Sequence, residues 1–218
     1  LEEGFPISDL ERILSSMAKA ASEAGVKIIA ADTKVTEKGK SDGIFISTTG
    51  IGFAPDGLSI HGAAAKPGDS VMLSGPIGNH GIAVAEARGN LGFRSQIQSD
   101  IAPLNGMIAS LLEAVPDVHV LRDPTRGGLA TTLVEIACQS SVTIELNEED
   151  IPIDRDVKSA CDLLGLDPLY MANEGKLIAL VPAEQTEHAL AALRAHPYGP
   201  QAVLIGKVTE KSDGQLLL

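Results

Sequence analysis

The chain has 218 residues, 44% of them hydrophobic and 21% charged, which is enough to bury a core without metal or disulfide staples and argues against disorder. Its formal net charge of −12 would repel a phosphate backbone and so argues against nucleic-acid binding, although local amides, a lysine and a divalent cation can still hold one nucleotide. There is no signal peptide, no solenoid repeat and no apolar run long enough to cross a bilayer, so a cytoplasmic globular protein without membrane contact is expected.

In chain order, Ser8 and Glu11 form a predicted capping box, after which Leu10, Ile13, Leu14, Met17 and Ala21 recur at helical spacing up to a stop at Gly25. Residues 26–31 then read as a short buried strand, the polar stretch 36–42 as a turn, and 43–49 as a second strand. Helix, strand, turn and strand make a piece of an α+β domain. Turn residues crowd the segment 53–68 and place a domain boundary near residue 55, giving domains 1–54 and 55–218.

Beyond the boundary the pattern predicts strands at 70–74, 118–121, 142–146, 176–181 and 202–209. Helices are predicted at 81–88, 102–115, 128–140, 154–164 and 184–195. The alternation predicts a mixed sheet with helices packed on it. Cys138 and Cys161 sit inside helical patterns, outside any Cys-x-x-Cys pair, and read as buried free thiols. His61, His119, His188 and His196 lack metal-ligand spacing, and Glu148-Glu149-Asp150 reads as a solvated acidic turn. Neither a dinucleotide-binding glycine fingerprint nor a Walker A loop is present.

Four segments could carry chemistry. Asp32-Thr33-Lys34 brings a carboxylate, a hydroxyl and an ammonium to a predicted strand end, suited to magnesium and phosphate or to a base; on spacing alone, a strand merely reaching solvent is the favoured reading. In the glycine-rich turn 74–81, free amides could cradle an anion with His80 beside them, and a plain tight turn is an equal alternative. At Arg122-Asp123-Pro124-Thr125-Arg126-Gly127-Gly128, two arginines and two glycines precede a helix. That suits a phosphate-proximal loop, against an ordinary cap by Thr125 or Asp123. Asn173-Glu174-Gly175-Lys176 offers a carboxylate base or metal ligand, with a solvated Glu–Lys pair as the plainer reading.

Taken together and in order, these segments resemble the HypE family of the PurM-like superfamily, which also includes aminoimidazole ribonucleotide synthetase, selenophosphate synthetase and thiamine-monophosphate kinase. The resemblance rests on Ala-Asp-Thr-Lys-Val, Ser41-Asp42-Gly43-Ile44-Phe45, Thr49-Gly50-Ile51-Gly52 and Gly-x-x-His-Gly. Arg-Asp-Pro-Thr-Arg-Gly-Gly-Leu-Ala-Thr-Thr and Leu-Asp-Pro-Leu-Tyr-x-Ala-Asn-Glu-Gly-Lys-Leu complete it.

The resemblance implies an α+β, PurM-like fold: a remnant of the ATP-binding N-terminal domain at 1–54 and a mixed-sheet α/β C-terminal domain at 55–218 with helices packed on its sheet. It implies a homodimer, ATP with Mg2+ as cofactors, and as partners the carbamoyltransferase HypF and the HypC–HypD complex. The implied reaction serves [NiFe]-hydrogenase maturation: ATP-dependent dehydration of an S-carboxamide on the protein's own C-terminal Cys to a thiocyanate, the source of cyanide for the active-site iron. Lys34 and Glu174 are thereby nominated as catalytic residues for deprotonation. Asp32, Thr33, His80, Asp123, Arg126, Gly127, Gly128 and Asn173 are nominated around the nucleotide, with Asp32 as the magnesium ligand.

The family's N-terminal glycine-rich segment is expected before Leu1 and its Pro-Arg-Ile-Cys tail after Leu218, while Asn79 stands where the family usually has Asp. The chain by itself is therefore expected to be inactive, to bind ATP weakly, and to leave residues 1–52 poorly ordered or paired with another copy. Another PurM-like ATP user such as selenophosphate synthetase, or a docking module for hydrogenase-maturation partners, is the alternative.

Overall fold

A computed structural model describes residues 1–89 and 95–218, which divide into two compact units, Leu1–Asp56 and Gly57–Leu218. Among the described residues, no helix is long and apolar enough to cross a membrane.

In the first unit, helix α1 spans Ile7–Glu23. It starts one residue before Ser8, after Pro6 in an extended conformation and with no side-chain cap, so the predicted capping box does not form. Gly25 ends the helix as expected, at φ +67°, while the Val26 amide donates back to the Ala21 carbonyl. At the start of the unit, the Leu1 backbone nitrogen donates to the Lys34 carbonyl at 2.8 Å, and Glu2 and Thr36 form a parallel bridge.

The predicted strands at 26–31 and 43–49 form no ladder among the described residues. Both segments run without regular pairing and leave Val26, Ile28, Ile29, Phe45 and Ile46 exposed. Apolar patterning selects an extended segment, but a strand exists only where a neighbour takes up its backbone groups.

The second unit is built on a six-stranded sheet of order β2-β4-β1-β5-β3-β6. Its strands are β1 (Asp69–Leu73), β2 (Val120–Arg122), β3 (Val142–Leu146), β4 (Ile178–Pro182), β5 (Val203–Lys211) and β6 (Gln215–Leu217). All neighbours pair antiparallel except β3 and β6, which run parallel. The mixed α+β architecture expected from the sequence is therefore present, and β6 is an addition to it.

Alternation along the central strands explains the layers. Val71 and Leu73 of β1, with Ile178 and Leu180 of β4, face a core completed by Leu129, Leu133 and Ile136 of α4 (Gly128–Ser140). Met72, Ala179 and Val181 face the opposite core, against Met107 and Leu111 of α3 (Asn105–Ala114) and Leu190 and Leu193 of α6 (Thr186–Ala195). Period-two side chains on a sheet covered on both faces give the near-continuous apolar runs seen in the sequence.

The buried His119 is held by three charged groups. Its Nδ1 donates to the buried Asp69 carboxylate at 2.8 Å, while its Nε2 lies 2.9 Å from the Lys66 nitrogen and 3.6 Å from the Asp117 carboxylate.

A smaller cluster joins Ile82 of α2 (Asn79–Ala87) to Val157, Ala160 and Cys161 of α5 (Arg155–Leu164). Burial, with Asp162 and then Asp167 adding to it, raises the Cys161 thiol above its ordinary value. The expectation of two buried thiols is half corrected, since Cys138 is exposed on α4. Its place near the end of that helix lies outside the stripe that meets the sheet.

At about pH 8, a thiol reagent should therefore label Cys138 promptly and Cys161 only on unfolding; equal labelling rates in the native protein would contradict this. A raised folded-state value also means that Cys161 favours folding below the ordinary thiol range and loses that contribution as pH climbs through the raised value.

Candidate functional site

Three of the four segments singled out in the sequence are loops of the second unit. The turn 74–81 leaves β1 and enters α2, the loop 123–127 leaves β2 and enters α4, and the stretch 171–177 leads into β4. In the sheet order, β1 and β2 flank β4 on either side, so all three loops leave one neighbourhood of the sheet.

Asn173 joins them. It is only 1% exposed, and its Oδ1 accepts from the Gly78 amide at 2.7 Å. Its Nδ2 donates to the Pro124 carbonyl at 3.1 Å and the Met171 carbonyl at 2.9 Å, and its own backbone amide donates to Pro124 at 3.2 Å. Asn173 was nominated around the nucleotide, and here its side chain ties loops together. Both amide hydrogens and the buried oxygen are engaged with the backbone, so no polar atom of the side chain is left facing solvent.

Two glycines let the loops approach so closely. A Cβ on Gly128, at φ +68°, would lie 2.4 Å from the Leu169 carbonyl oxygen and 2.7 Å from that of Met171. One on Gly175 would lie 2.1 Å from the Asp100 carbonyl oxygen. Neither position has room for a side chain.

The charged groups on this frame differ in how far they are committed. Arg122 is paired with Glu135 at 2.8 Å, whereas Arg126 is exposed and has no ion pair among the described residues. Asp123 is exposed and accepts from the Thr125 hydroxyl at 2.6 Å, which removes the ordinary-cap reading of this loop: α4 has no side-chain cap, and Gly127 occupies its N-cap position. His80 is half-buried, with its Nδ1 bonded to the Ser99 hydroxyl at 2.8 Å. Asn79 donates to Asp154 at 2.8 Å.

Glu174 is half-buried, and among the described residues its carboxylate has neither hydrogen bond nor ion pair. The expected surface pair with Lys176 does not form, because Lys176 is buried and paired with Asp100. Asp100 and Ser99 were not singled out in the sequence. Asp100 lies 76 positions from its partner, a separation at which no local pattern signals a contact.

In the first unit, Asp32, Thr33 and Lys34 are all exposed. The Thr33 amide donates to Asp32 Oδ1 at 2.8 Å, leaving Oδ2 without a partner among the described residues. A single carboxylate with a free oxygen fits magnesium, which is commonly held by one or two carboxylates together with substrate phosphates. Lys34 has no ion pair among the described residues. Within the second unit, an uncommitted carboxylate at Glu174 and a guanidinium at Arg126 without an ion pair among the described residues offer groups suited to proton abstraction and anion binding.

The family model for the C-terminal domain of AIR synthase related protein matches residues 66–218. The chain is 56% identical over 208 residues to the carbamoyl dehydratase HypE of Azotobacter vinelandii, covering 95% of this chain and 61% of that protein. A crystal structure of a HypE–HypF complex superposes with a TM-score of 0.93 at 51% identity, covering 97% of this chain and 69% of that one. A crystal structure of the hydrogenase maturation protein HypE in complex with ATP superposes with a TM-score of 0.86 at 44% identity, covering 96% of this chain and 63% of that one. The chain thus spans 61% of the length of the Azotobacter vinelandii relative.

Proposed function

This chain belongs to the HypE carbamoyl dehydratases within the AIR synthase-related family, and we propose that its whole-length protein dehydrates an S-carboxamide in an ATP-dependent step of [NiFe]-hydrogenase maturation. Residues 1–54 would then be part of the ATP-binding domain and 55–218 the C-terminal domain. The observation that carries the reading is the uncommitted, half-buried Glu174 carboxylate, next in sequence to Asn173, whose side chain is bonded to the turn 74–81 and the loop 123–127.

The chemistry follows from what an amide needs in order to lose water. ATP transfers its terminal phosphoryl group to the carboxamide oxygen, which turns a poor leaving group into phosphate. Glu174 takes one proton from the nitrogen, and Lys34, after releasing a proton of its own to solvent, takes the other. The carbon–oxygen bond breaks, phosphate carries the oxygen away, and a carbon–nitrogen triple bond remains on the cysteine sulfur as a thiocyanate. Arg126, with the free amides at the head of α4, would face the phosphate charge. Asp32 would hold Mg2+, which when bound neutralises phosphate charge.

A HypE–HypF crystal structure superposes on this chain, and HypF is the partner proposed for carbamoyl delivery. The HypC–HypD complex is proposed as acceptor of the product, a homodimer as the working assembly and the cytoplasm as its location. A selenophosphate synthetase reading has no comparable support, because the 56% identity is to a carbamoyl dehydratase.

A chimera tests this reading. Azotobacter vinelandii HypE, with its matching 208 residues replaced by those of this chain, should restore hydrogenase activity to cells lacking their own HypE. A stable, soluble chimera that restores none would contradict it.

A further inference from the structure

We infer that Asn173 is a positioning residue for the dehydration: its buried carboxamide sets where the Glu174 base stands relative to the turn 74–81 and the loop 123–127. This rests on the dehydratase reading above and adds a role for a residue that touches none of the reacting atoms.

The bonds have an order that only a carboxamide can satisfy. One side of Asn173 must accept, from the Gly78 amide, while the other must donate twice, to the carbonyls of Pro124 and Met171. These partners lie 95, 49 and 2 positions away in sequence, so the side chain closes two long loops and one short one. Two of the anchors, and Asn173 itself, lie within two residues of a residue with a nominated role. Gly78 precedes Asn79 and His80, Pro124 lies between Asp123 and Thr125-Arg126, and Glu174 is bonded to Asn173 itself.

The fit leaves little slack. Ala172 accepts from the Gly81 amide at 2.9 Å, and Gly128 would crowd Met171 if it carried a Cβ. A glutamine would need room for one more methylene in this packing. An aspartate would keep the bond from Gly78 but set a carboxylate against the Pro124 and Met171 carbonyls. Misplacing a catalytic group by about 1 Å can slow a reaction by about 10²-fold, so a clamp of this kind should act on turnover more than on ATP affinity.

The experiment uses the whole-length protein carrying its S-carboxamide, with ATP, and compares Asn173→Asp and Asn173→Ala with the unsubstituted protein. Single-turnover loss of water is measured by intact mass, together with the apparent KM for ATP, the melting temperature and exchange of the Gly78 amide. Asn173→Asp should stay folded and keep Gly78 protected, yet lose about 10²-fold in turnover with little change in KM. Asn173→Ala should lose protection at Gly78 as well.

A folded Asn173→Asp protein that turns over at the unsubstituted rate would overturn the inference. So would equal losses of turnover and ATP affinity that follow the melting temperature. Failure of the unsubstituted protein to lose water would sink the dehydratase reading instead, while the exchange of Gly78 would still report on the clamp.

Discussion

Glu174→Gln in the whole-length protein should slow ATP-dependent loss of water by about 10²–10⁴-fold, the usual contribution of a positioned general base. Glutamine keeps the shape of the side chain and removes its ability to take a proton. Because the carboxylate makes no hydrogen bond or ion pair among the described residues, the substitution should change stability by no more than about 0.5 kcal/mol. Lys34→Ala should behave alike, since Lys34 is exposed and unpaired among the described residues. Single-turnover intact-mass measurement at saturating ATP checks both, and a variant that keeps the unsubstituted rate would remove that residue from the deprotonation step.

Gly128→Ala should be among the most damaging small substitutions in the second unit. At φ +68° an alanine pays the steric cost of the left-handed region, about 1 kcal/mol or more. The added methyl would also press into the backbone oxygens of Leu169 and Met171, which cannot rotate away as a side chain could. Overpacking of that kind costs about 1–3 kcal/mol. The sum, about 3 kcal/mol, corresponds to a fall in melting temperature of roughly 10 °C for a domain of this size. Either the first turn of α4 or the segment 169–171 must shift to relieve the contact, so the loop bearing Arg126 moves as well. A thermal melt with the temperature lowered by no more than a degree or two would show that the loops are looser than their geometry implies.

The second unit could be read from sequence because both of its signals are local. Alternating apolar residues in β1 and β4 and the stripe Leu129, Leu133 and Ile136 on α4 already say which side of each element is buried. Helix α4 begins and ends at the predicted residues, since Gly127 and Gly128 open it and Ser141, at φ 53°, closes it. In the first unit the same reasoning failed at 26–31 and 43–49, where apolar residues predict strands that find no partner among the described residues. Strand formation is a property of pairs, and one half of a pair carries no information about the other.

The site divides in the same way. Glycine-rich turns and charged residues next to strand ends were visible, and these are the loops that meet. Which side chains are committed was not visible. Lys176 pairs with Asp100 rather than Glu174, Arg122 with Glu135, and Asn173 turns inward to three backbone groups. Each of these depends on contacts across many residues of sequence, and each bears on which groups remain free for chemistry.

The most direct measurement is the intact mass of the whole-length protein after carbamoylation of its C-terminal cysteine, before and after addition of ATP and magnesium. The account predicts a mass lower by one water, located on that cysteine, and dependent on ATP. Unchanged mass in a protein that is carbamoylated and binds ATP would contradict it.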